Sequence, residues 1–363
     1  MKKNKNYVDL KDQPVPEGQH LLEVDDLKMY FHTEDGVVRA VDGVSYTLDR
    51  GETLGVVGES GSGKSVTAMT IMGLISMPPG KIEGGDVRYR GRSILEMTEE
   101  EMQHIRGNDI AMIFQDPMTS LNPVYKIGKQ VGEGLRLHRG YSKQEALKRA
   151  TELLDLVGIP EPEKRVNEYP HQFSGGMRQR VMIAMALACG PDILIADEPT
   201  TALDVTIQAQ IIELMQEMQE KNGNAIIMIT HDLGVVADMA DKIMVMYAGR
   251  PVEFGTAEEI FYESRHPYTW GLIRSIPEQA IEEKKPLTPI HGNPPSLMNL
   301  PEGCVFSPRC PYATDKCRKQ RPERVVTESG HYSACHYSGD PEFLKNAPET
   351  SRTRKDSKKG GEA

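Results

Sequence analysis

Eight consecutive residues combine glycines with a single lysine in the order Gly-Glu-Ser-Gly-Ser-Gly-Lys-Ser, from Gly58 to Ser65. Glycines let the backbone wrap closely around phosphate groups, so that amide N–H groups and a helix N-terminus face the negative charge. Lys64 adds a mobile cation, and Ser65 supplies a hydroxyl oxygen of the kind that Mg²⁺ prefers. The pattern predicts a nucleotide phosphate site formed by Gly58, Ser60, Gly61, Ser62, Gly63, Lys64 and Ser65.

Two carboxylates, Asp197 and Glu198, follow the apolar run Ile193–Ala196. The carboxyl end of a buried strand is where an α/β sheet presents side chains to its ligand. We expect Asp197 to hold the shell of a Mg²⁺ ion and Glu198 to polarise an attacking water as a general base. Together with the phosphate loop, this pair predicts hydrolysis of a nucleoside triphosphate.

The segments around these residues alternate between strand and helix. Thr53–Val57 has the pattern of a short apolar strand, and Lys64–Ile75 that of a helix after the glycine-rich turn. Leu21–Asp49 alternates as antiparallel strands do, and residues 120–175 are mostly helical in pattern. The order of the later segments predicts parallel crossovers and a mainly α/β sheet: strands at 193–196, 225–229 and 243–246, with helices through 207–218 and 233–240.

A third motif, Phe173-Ser174-Gly175-Gly176-Met177, follows the helical segment. With it the chain resembles the ATP-binding-cassette (ABC) ATPases, whose usual form of this motif is Leu-Ser-Gly-Gly-Gln. The resemblance covers about residues 21–265 and implies an ABC-type P-loop NTPase fold of the α/β class, with an antiparallel β subdomain and a helical signature subdomain. It also implies that Ser174, Gly175 and Gly176 contact the γ-phosphate bound to an opposite subunit, so that two subunits enclose two ATP molecules.

Further positions match this family in order and spacing. The resemblance implies that Gln115 touches Mg²⁺ and the attacking water, and that His231 contacts the γ-phosphate. It implies that Phe31 stacks on adenine, with neighbouring Tyr30 as the alternative. Asp204, in Ala202-Leu203-Asp204, fits the loop that crosses the dimer interface. Because Glu198 and His231 are both present, the chain is expected to hydrolyse ATP rather than only bind it.

The cysteines are unevenly placed. Cys189 stands alone on an apolar helix, whereas Cys304, Cys310, Cys317 and Cys335 lie close together in a Pro-rich, loop-like segment. Stable disulfides are not expected in a cytoplasmic protein, which leaves an iron–sulfur cluster, a Cys₄ zinc site or four reduced thiols. Gly303–Cys310 and His266–Thr269 resemble motifs of the C-terminal extension of oligopeptide and dipeptide transporter ATPases, and that resemblance implies a [4Fe-4S] cluster held by the four cysteines.

Composition limits the class of protein and its location. The net charge of −10 disfavours nucleic acid as a partner, because phosphate binding draws on clustered Lys and Arg. No apolar run approaches the roughly 18 residues that cross a bilayer, and no secretory signal is evident, so we expect the protein to stay in the cytoplasm. The resemblance to transporter ATPases implies a peripheral protein on the cytoplasmic face of the cell membrane. We divide the chain into a flexible N-terminus (1–20), an ABC ATPase domain (21–265), an extension with a four-cysteine site (266–340) and a disordered tail (341–363).

The resemblance implies partners and a substrate. The partners are a second ABC ATPase subunit, with a heterodimer favoured, two transmembrane permease subunits, and an extracellular peptide-binding protein that acts through the permeases. The expected function is ATP hydrolysis that energises import of dipeptides or oligopeptides. Nickel or another small solute stays open as the substrate. A soluble ABC protein acting on nucleic acid and a regulatory subunit that scarcely hydrolyses ATP are the competing classes.

Overall fold

The computed structural model describes residues 10–116, 120–200, 205–276 and 289–348. The strands in these ranges are β1 (Leu22–Thr33), β2 (Gly36–Leu48), β3 (Thr53–Val57), β4 (Gly80–Tyr89), β5 (Arg92–Ser93), β6 (Ile110–Ile113), β7 (Ile193–Asp197), β8 (Ala225–Thr230), β9 (Lys242–Tyr247), β10 (Arg250–Thr256), β11 (Val325–Val326) and β12 (Tyr332–Ser333). The α-helices are α1 (Lys64–Ile71), α2 (Glu99–Ile105), α3 (Ile127–His138), α4 (Lys143–Leu156), α5 (Pro162–Arg165), α6 (Gly175–Leu187), α7 (Val205–Asn222), α8 (Leu233–Met239), α9 (Ala257–Tyr262), α10 (Pro267–Arg274), α11 (Asp315–Lys319) and α12 (Pro341–Leu344). Short 3-10 helices span Leu10–Asp12 and Pro170–Gln172.

An antiparallel sheet has the strand order β2-β1-β4-β5. Strands β1 and β2 form a long hairpin in which Leu22 lies opposite Leu48 and Thr33 opposite Gly36, and β1 also pairs with β4. Apolar side chains of β1, such as Leu27 and Met29, join the core that also contains residues of β3 and α1. This sheet therefore packs beside the strand and helix that carry the phosphate loop.

The larger sheet has the strand order β11-β12-β10-β9-β3-β8-β7-β6. Its centre is parallel: β3 pairs with β8 and β9, and β7 pairs with β8 and β6. Because parallel strands end at the same edge of a sheet, the residues that follow β3, β6, β7 and β8 meet there. That edge carries the phosphate loop, Gln115, Glu198 and His231.

A helical segment packs on the β6 side of this sheet. Helices α3, α4 and α6 bury their apolar side chains in a second core, which includes Val131, Leu154 and Val181 together with Leu194 of β7. Helix α4 begins at a capping box, in which Ser142 and Glu145 each accept a hydrogen bond from the other's backbone N–H. The motif Phe173–Met177, called the signature motif below, therefore lies at the start of α6, which packs with α3 and α4 in this core.

The C-terminal segment is joined to the larger sheet rather than set apart from it. Strand β12 pairs with β10, and β11 pairs with β12. A third core contains Tyr247 and Val252 of the cassette together with Tyr268 and Phe306 of the later segment. In the described parts of the chain, no helix combines the length and apolar character needed to cross a membrane.

Candidate nucleotide site

The phosphate loop connects β3 to α1, as its sequence pattern predicts. Gly63 precedes α1 with φ 99°, a conformation that favours glycine. A Cβ atom on Gly58 would lie 2.2 Å from the carbonyl oxygen of Met246, so the close approach of these two backbones requires glycine there. Ser60 and Gly61 are exposed at the tip of the loop, whereas Ser62 is buried and its carbonyl accepts a hydrogen bond from the Gly249 N–H.

Lys64 lies inside the loop that precedes it. Its Nζ donates hydrogen bonds to the carbonyl oxygens of Gly58, at 2.7 Å, and Glu59, at 3.0 Å. Burial lowers the pKa of the Lys64 ammonium, while the carboxylates of Glu198, Asp197 and Glu59 oppose that shift. The lysine therefore provides a desolvated positive charge, which interacts more strongly with phosphate than an exposed one does.

The Ser65 hydroxyl and the Asp197 carboxylate lie next to each other, close to Lys64. The Ser65 hydroxyl donates to Oδ1 of Asp197 at 3.0 Å, and Asp197 is only 2% exposed. Burial raises the pKa of the Asp197 carboxyl, the hydrogen bond from Ser65 lowers it, and the neighbouring Glu198 raises it further. A buried carboxylate beside a hydroxyl is a set of hard oxygen donors that suits a divalent cation.

Glu198 brings two other predicted residues together. Nε2 of Gln115 donates to Oε2 of Glu198 at 3.0 Å, and Nδ1 of His231 lies 3.4 Å from Oε1. The Glu198 backbone has φ 48°, in the left-handed region that residues other than glycine rarely adopt, and its N–H donates to the Ile229 carbonyl at 2.8 Å. The fold thus directs this carboxylate to the sheet edge, where it can accept a proton from a water molecule.

The signature motif is exposed on a different part of the surface. Ser174 caps α6 and its Oγ accepts a hydrogen bond from the Met177 N–H at 3.3 Å. Ser174 and Gly175 are exposed and Gly176 is half-buried, whereas the Phe173 side chain is buried in the second core. Helix N-terminal amides that face solvent are available to an anion held by another subunit.

The remaining predicted nucleotide contacts differ in their surroundings. Phe31 is half-buried in β1 and packs against the first core. Tyr30 points to the other face of the strand, where its hydroxyl donates to Oδ1 of Asp42 at 3.0 Å. Asp204, predicted at the dimer interface, lies outside the described residues.

The prediction of an iron–sulfur cluster is wrong. Cys304, Cys310, Cys317 and Cys335 line one pocket together with aromatic side chains such as Tyr312 and Phe343. Among the residues that the structure describes, however, no group of three or more His, Cys, Asp or Glu side chains could hold a metal ion. Burial raises the pKa of the Cys304 thiol, that of Cys310 to about 11 and that of Cys335 to about 12. Burial therefore favours neutral thiols, whereas a metal requires thiolates.

Two residues at the site were not identified as site residues from the sequence. The Tyr268 hydroxyl accepts a hydrogen bond from the Glu59 N–H in the phosphate loop, and Arg309 forms a bidentate ion pair with the Glu59 carboxylate. Both belong to the C-terminal motifs named above, Tyr268 to His266–Thr269 and Arg309 to Gly303–Cys310. The motifs mark the two residues as part of the C-terminal extension, but nothing in either motif indicates a contact with the phosphate loop.

Comparisons with known proteins agree with this geometry. A family model described as "ABC transporter" matches residues 41–201, and one described as "Oligopeptide/dipeptide transporter, C-terminal region" matches residues 252–317. A dimeric ATP-binding cassette in a post-hydrolysis state, bound to ADP and Pi, aligns with a TM-score of 0.59 and 29% identity over 65% of this chain and 98% of that chain. The ATP-binding-cassette fold is thereby confirmed.

Two transport ATP-binding proteins are similar to this chain along most of their length. The oligopeptide transport ATP-binding protein OppD of Bacillus subtilis is 58% identical over 312 residues, which cover 86% of this chain and 87% of that protein. The dipeptide transport ATP-binding protein DppD of Escherichia coli is 52% identical over 320 residues, which cover 88% and 97%. The chain therefore belongs to the ATP-binding proteins of the oligopeptide and dipeptide transport branch of the ABC transporter family.

Proposed function

We propose that this protein binds and hydrolyses ATP to energise the import of dipeptides or oligopeptides across the cytoplasmic membrane. The observation that carries the proposal is the position of Glu198, held by Gln115 and His231 at the sheet edge that bears the phosphate loop. The relatives named as oligopeptide and dipeptide transport ATP-binding proteins support the substrate class. They do not favour nickel as the alternative.

The proposed nucleotide contacts follow from the position of each residue. The loop from Gly58 to Ser65 surrounds the β- and γ-phosphates, and Lys64 offsets their charge. Phe31 supplies the aromatic face for adenine. The exposed start of α6, with Ser174, Gly175 and Gly176, contacts the γ-phosphate held by a second subunit. Asp204, outside the described residues, stays a prediction for the dimer interface.

Mg²⁺ is the ion that this site would hold. The Ser65 hydroxyl and the buried Asp197 carboxylate are oxygen donors 3.0 Å apart, and Gln115 lies at the same sheet edge. Mg²⁺ in phosphoryl transfer is usually bound by one or two carboxylates together with the substrate phosphates, and Asp197 supplies such a carboxylate here. When bound, the ion neutralises charge that develops on the phosphate oxygens.

Hydrolysis requires a water molecule placed against the γ-phosphate. The carboxylate of Glu198 accepts a proton as the water oxygen bonds to phosphorus. The bond from phosphorus to the β–γ bridging oxygen breaks, so the products are ADP and inorganic phosphate. Gln115 orients Glu198 by a hydrogen bond, and His231 places a second polar group beside the same carboxylate.

The proposed assembly contains a second ABC ATPase subunit, in a heterodimer, and two transmembrane permease subunits. An extracellular peptide-binding protein acts through the permeases, and the ATPase is peripheral on the cytoplasmic face of the cell membrane. Nucleic acid is not a proposed partner. Residues 266–340 form the extension of this ATPase type, with no metal cluster among those of its residues that the structure describes. The limits of the domains given above stay predictions.

The function is tested with the complete transporter in lipid vesicles, by measuring phosphate release from Mg-ATP. We expect peptide-loaded binding protein to increase turnover several-fold over peptide-free binding protein, and nickel to leave it unchanged. Stimulation by nickel alone would overturn the substrate class. Turnover that is the same with wild-type chain and with Glu198→Gln would overturn the assignment of hydrolysis to this site.

A further inference from the structure

Glu59 connects the phosphate loop to the C-terminal segment. Its carbonyl oxygen accepts a hydrogen bond from Nζ of Lys64 at 3.0 Å, on the nucleotide side of the loop. Its N–H donates to the Tyr268 hydroxyl at 2.9 Å, and its carboxylate pairs with Arg309. The phosphate loop is therefore anchored by side chains that lie 209 and 250 positions later in the chain.

Every N–H donor of Arg309 has an acceptor. A guanidinium has five donors in a planar fork, and here they meet five acceptor atoms. These are both carboxylate oxygens of Glu59, the Tyr247 hydroxyl at 3.3 Å, and the carbonyl oxygens of Ile290, at 3.1 Å, and His291, at 3.0 Å. The Arg309 side chain is only 4% exposed, so this arrangement is fixed in one geometry.

One acceptor of Arg309, the Tyr247 hydroxyl, belongs to a group of three packed rings. The ring centroids of Tyr247 and Tyr268 lie 4.6 Å apart, and that of Phe306 lies 5.2 Å and 5.3 Å from them. Phe306 comes three residues before Arg309, and all three rings belong to the third core. The core of the C-terminal segment thus sets the position from which Arg309 reaches the phosphate loop.

The charge of Glu59 gives this contact a functional meaning. A loop that binds a triphosphate is expected to repel it if the loop also carries an unpaired carboxylate. The Glu59 side chain is 29% exposed, so solvent does not screen it fully. The bidentate guanidinium offsets this negative charge and at the same time fixes the direction of the side chain.

We propose that Arg309 is a positioning residue of the nucleotide site, which neutralises Glu59 and holds the phosphate loop in the conformation that binds ATP. This inference rests on the proposed function, in which that loop binds Mg-ATP. It assigns the C-terminal extension a direct part in nucleotide affinity. A role of Arg309 in folding alone predicts a different outcome when the charge of Glu59 is removed.

The test measures the dissociation constant of Mg-ATP for the full-length chain, by displacement of a fluorescent ATP analogue. We expect Arg309→Met to raise the constant roughly tenfold, because the Glu59 carboxylate is left unpaired beside the phosphates. Adding Glu59→Gln to Arg309→Met removes that charge and is expected to restore affinity to within about threefold of wild type. The matched control is Arg318→Met, since Arg318 is an exposed arginine of the same segment that pairs with the exposed Asp315.

Folding of each variant is checked by its thermal unfolding temperature. If Arg309→Met does not fold, Arg309→Gln replaces it, because glutamine keeps a side-chain N–H donor for Glu59 but removes the positive charge. Wild-type affinity in the folded Arg309 variant, or a loss that Glu59→Gln does not reduce, overturns the inference. A wild-type chain that does not bind Mg-ATP overturns the proposed function, and the inference with it.

Discussion

Nε2 of Gln115 lies 3.0 Å from Oε2 of Glu198, although 83 positions separate the two residues in the chain. They meet because β6 and β7 are parallel neighbours, so that the residues after both strands lie at one edge of the sheet. His231 reaches the same carboxylate from the end of β8. Three strand ends therefore converge on one carboxylate, for which we propose the role of general base.

Replacing Ser65 by alanine should raise the Mg²⁺ concentration that ATP turnover requires. The substitution removes the hydroxyl that lies 3.0 Å from Asp197 and leaves the carboxylate as the remaining oxygen of the pair. We expect the Mg²⁺ concentration for half-maximal ATP turnover to rise roughly tenfold. A magnesium titration of the assembled transporter measures it, with Ser65→Thr as the control that keeps the hydroxyl; equal midpoints for Ser65→Ala and wild type would contradict the assignment.

Replacing Ser174 by arginine should disrupt turnover only in the assembled protein. The side chain is exposed at the start of α6, where the proposed contact is to ATP held by a second subunit. We expect ATP turnover of the transporter to fall by about 100-fold or more, because the added bulk and lost amide contacts act at the interface. ATP binding by the isolated chain should change less than about twofold; an equal loss in both measurements would place Ser174 in its own subunit's site.

His266 should make the folded state sensitive to acid. It is 1% exposed, and burial lowers its pKa to about 4 from the usual 6.5. Its Nδ1 accepts a hydrogen bond from the Tyr268 N–H at 3.1 Å, which requires that nitrogen to be unprotonated. Between these two pKa values the unfolded chain binds a proton that the folded chain does not, so the free energy of unfolding falls as the pH falls.

The size of this effect can be isolated with His266→Asn. Asparagine can cap α10 in the same way but does not titrate. From about pH 7.5 to about pH 5, the free energy of unfolding of wild type should fall by about 2 kcal/mol more than that of the variant. Urea unfolding at both pH values measures the difference; parallel changes in the two proteins would show that His266 is not the source.

The sequence predicted the parts of the fold in which a local pattern determines the element. Thr53–Val57 was predicted as a strand with the bounds it has, and residues 120–175, predicted as mostly helical, contain α3, α4 and α5. Strand β4 was not predicted, because Gly84 and Gly85 interrupt it and several of its side chains are polar. Helix α1 was predicted to end at Ile75 but ends at Ile71. Gly73, two residues after that end, adopts φ 61°.

The residues of the candidate site likewise fall into those that a local sequence pattern predicts and those that depend on long-range packing. The phosphate loop and Asp197–Glu198 could be located because each has a contiguous pattern next to a strand. The contact of Arg309 with Glu59 could not, because it depends on how the C-terminal segment packs against the cassette 250 positions away. Sequence proximity left a cluster, a zinc site and reduced thiols open, and the family resemblance implied the cluster. Neither shows whether the surroundings of the four cysteines favour the thiolate.

The most direct measurement is the rate of phosphate release from Mg-ATP by the assembled transporter with wild-type chain and with Glu198→Gln. The substitution keeps the shape of the side chain but removes the proton acceptor beside Gln115 and His231. We predict a fall in kcat of roughly 100-fold or more, with Mg-ATP still bound. If Glu198→Gln turns over ATP at the wild-type rate, Glu198 is not the proton acceptor in ATP hydrolysis.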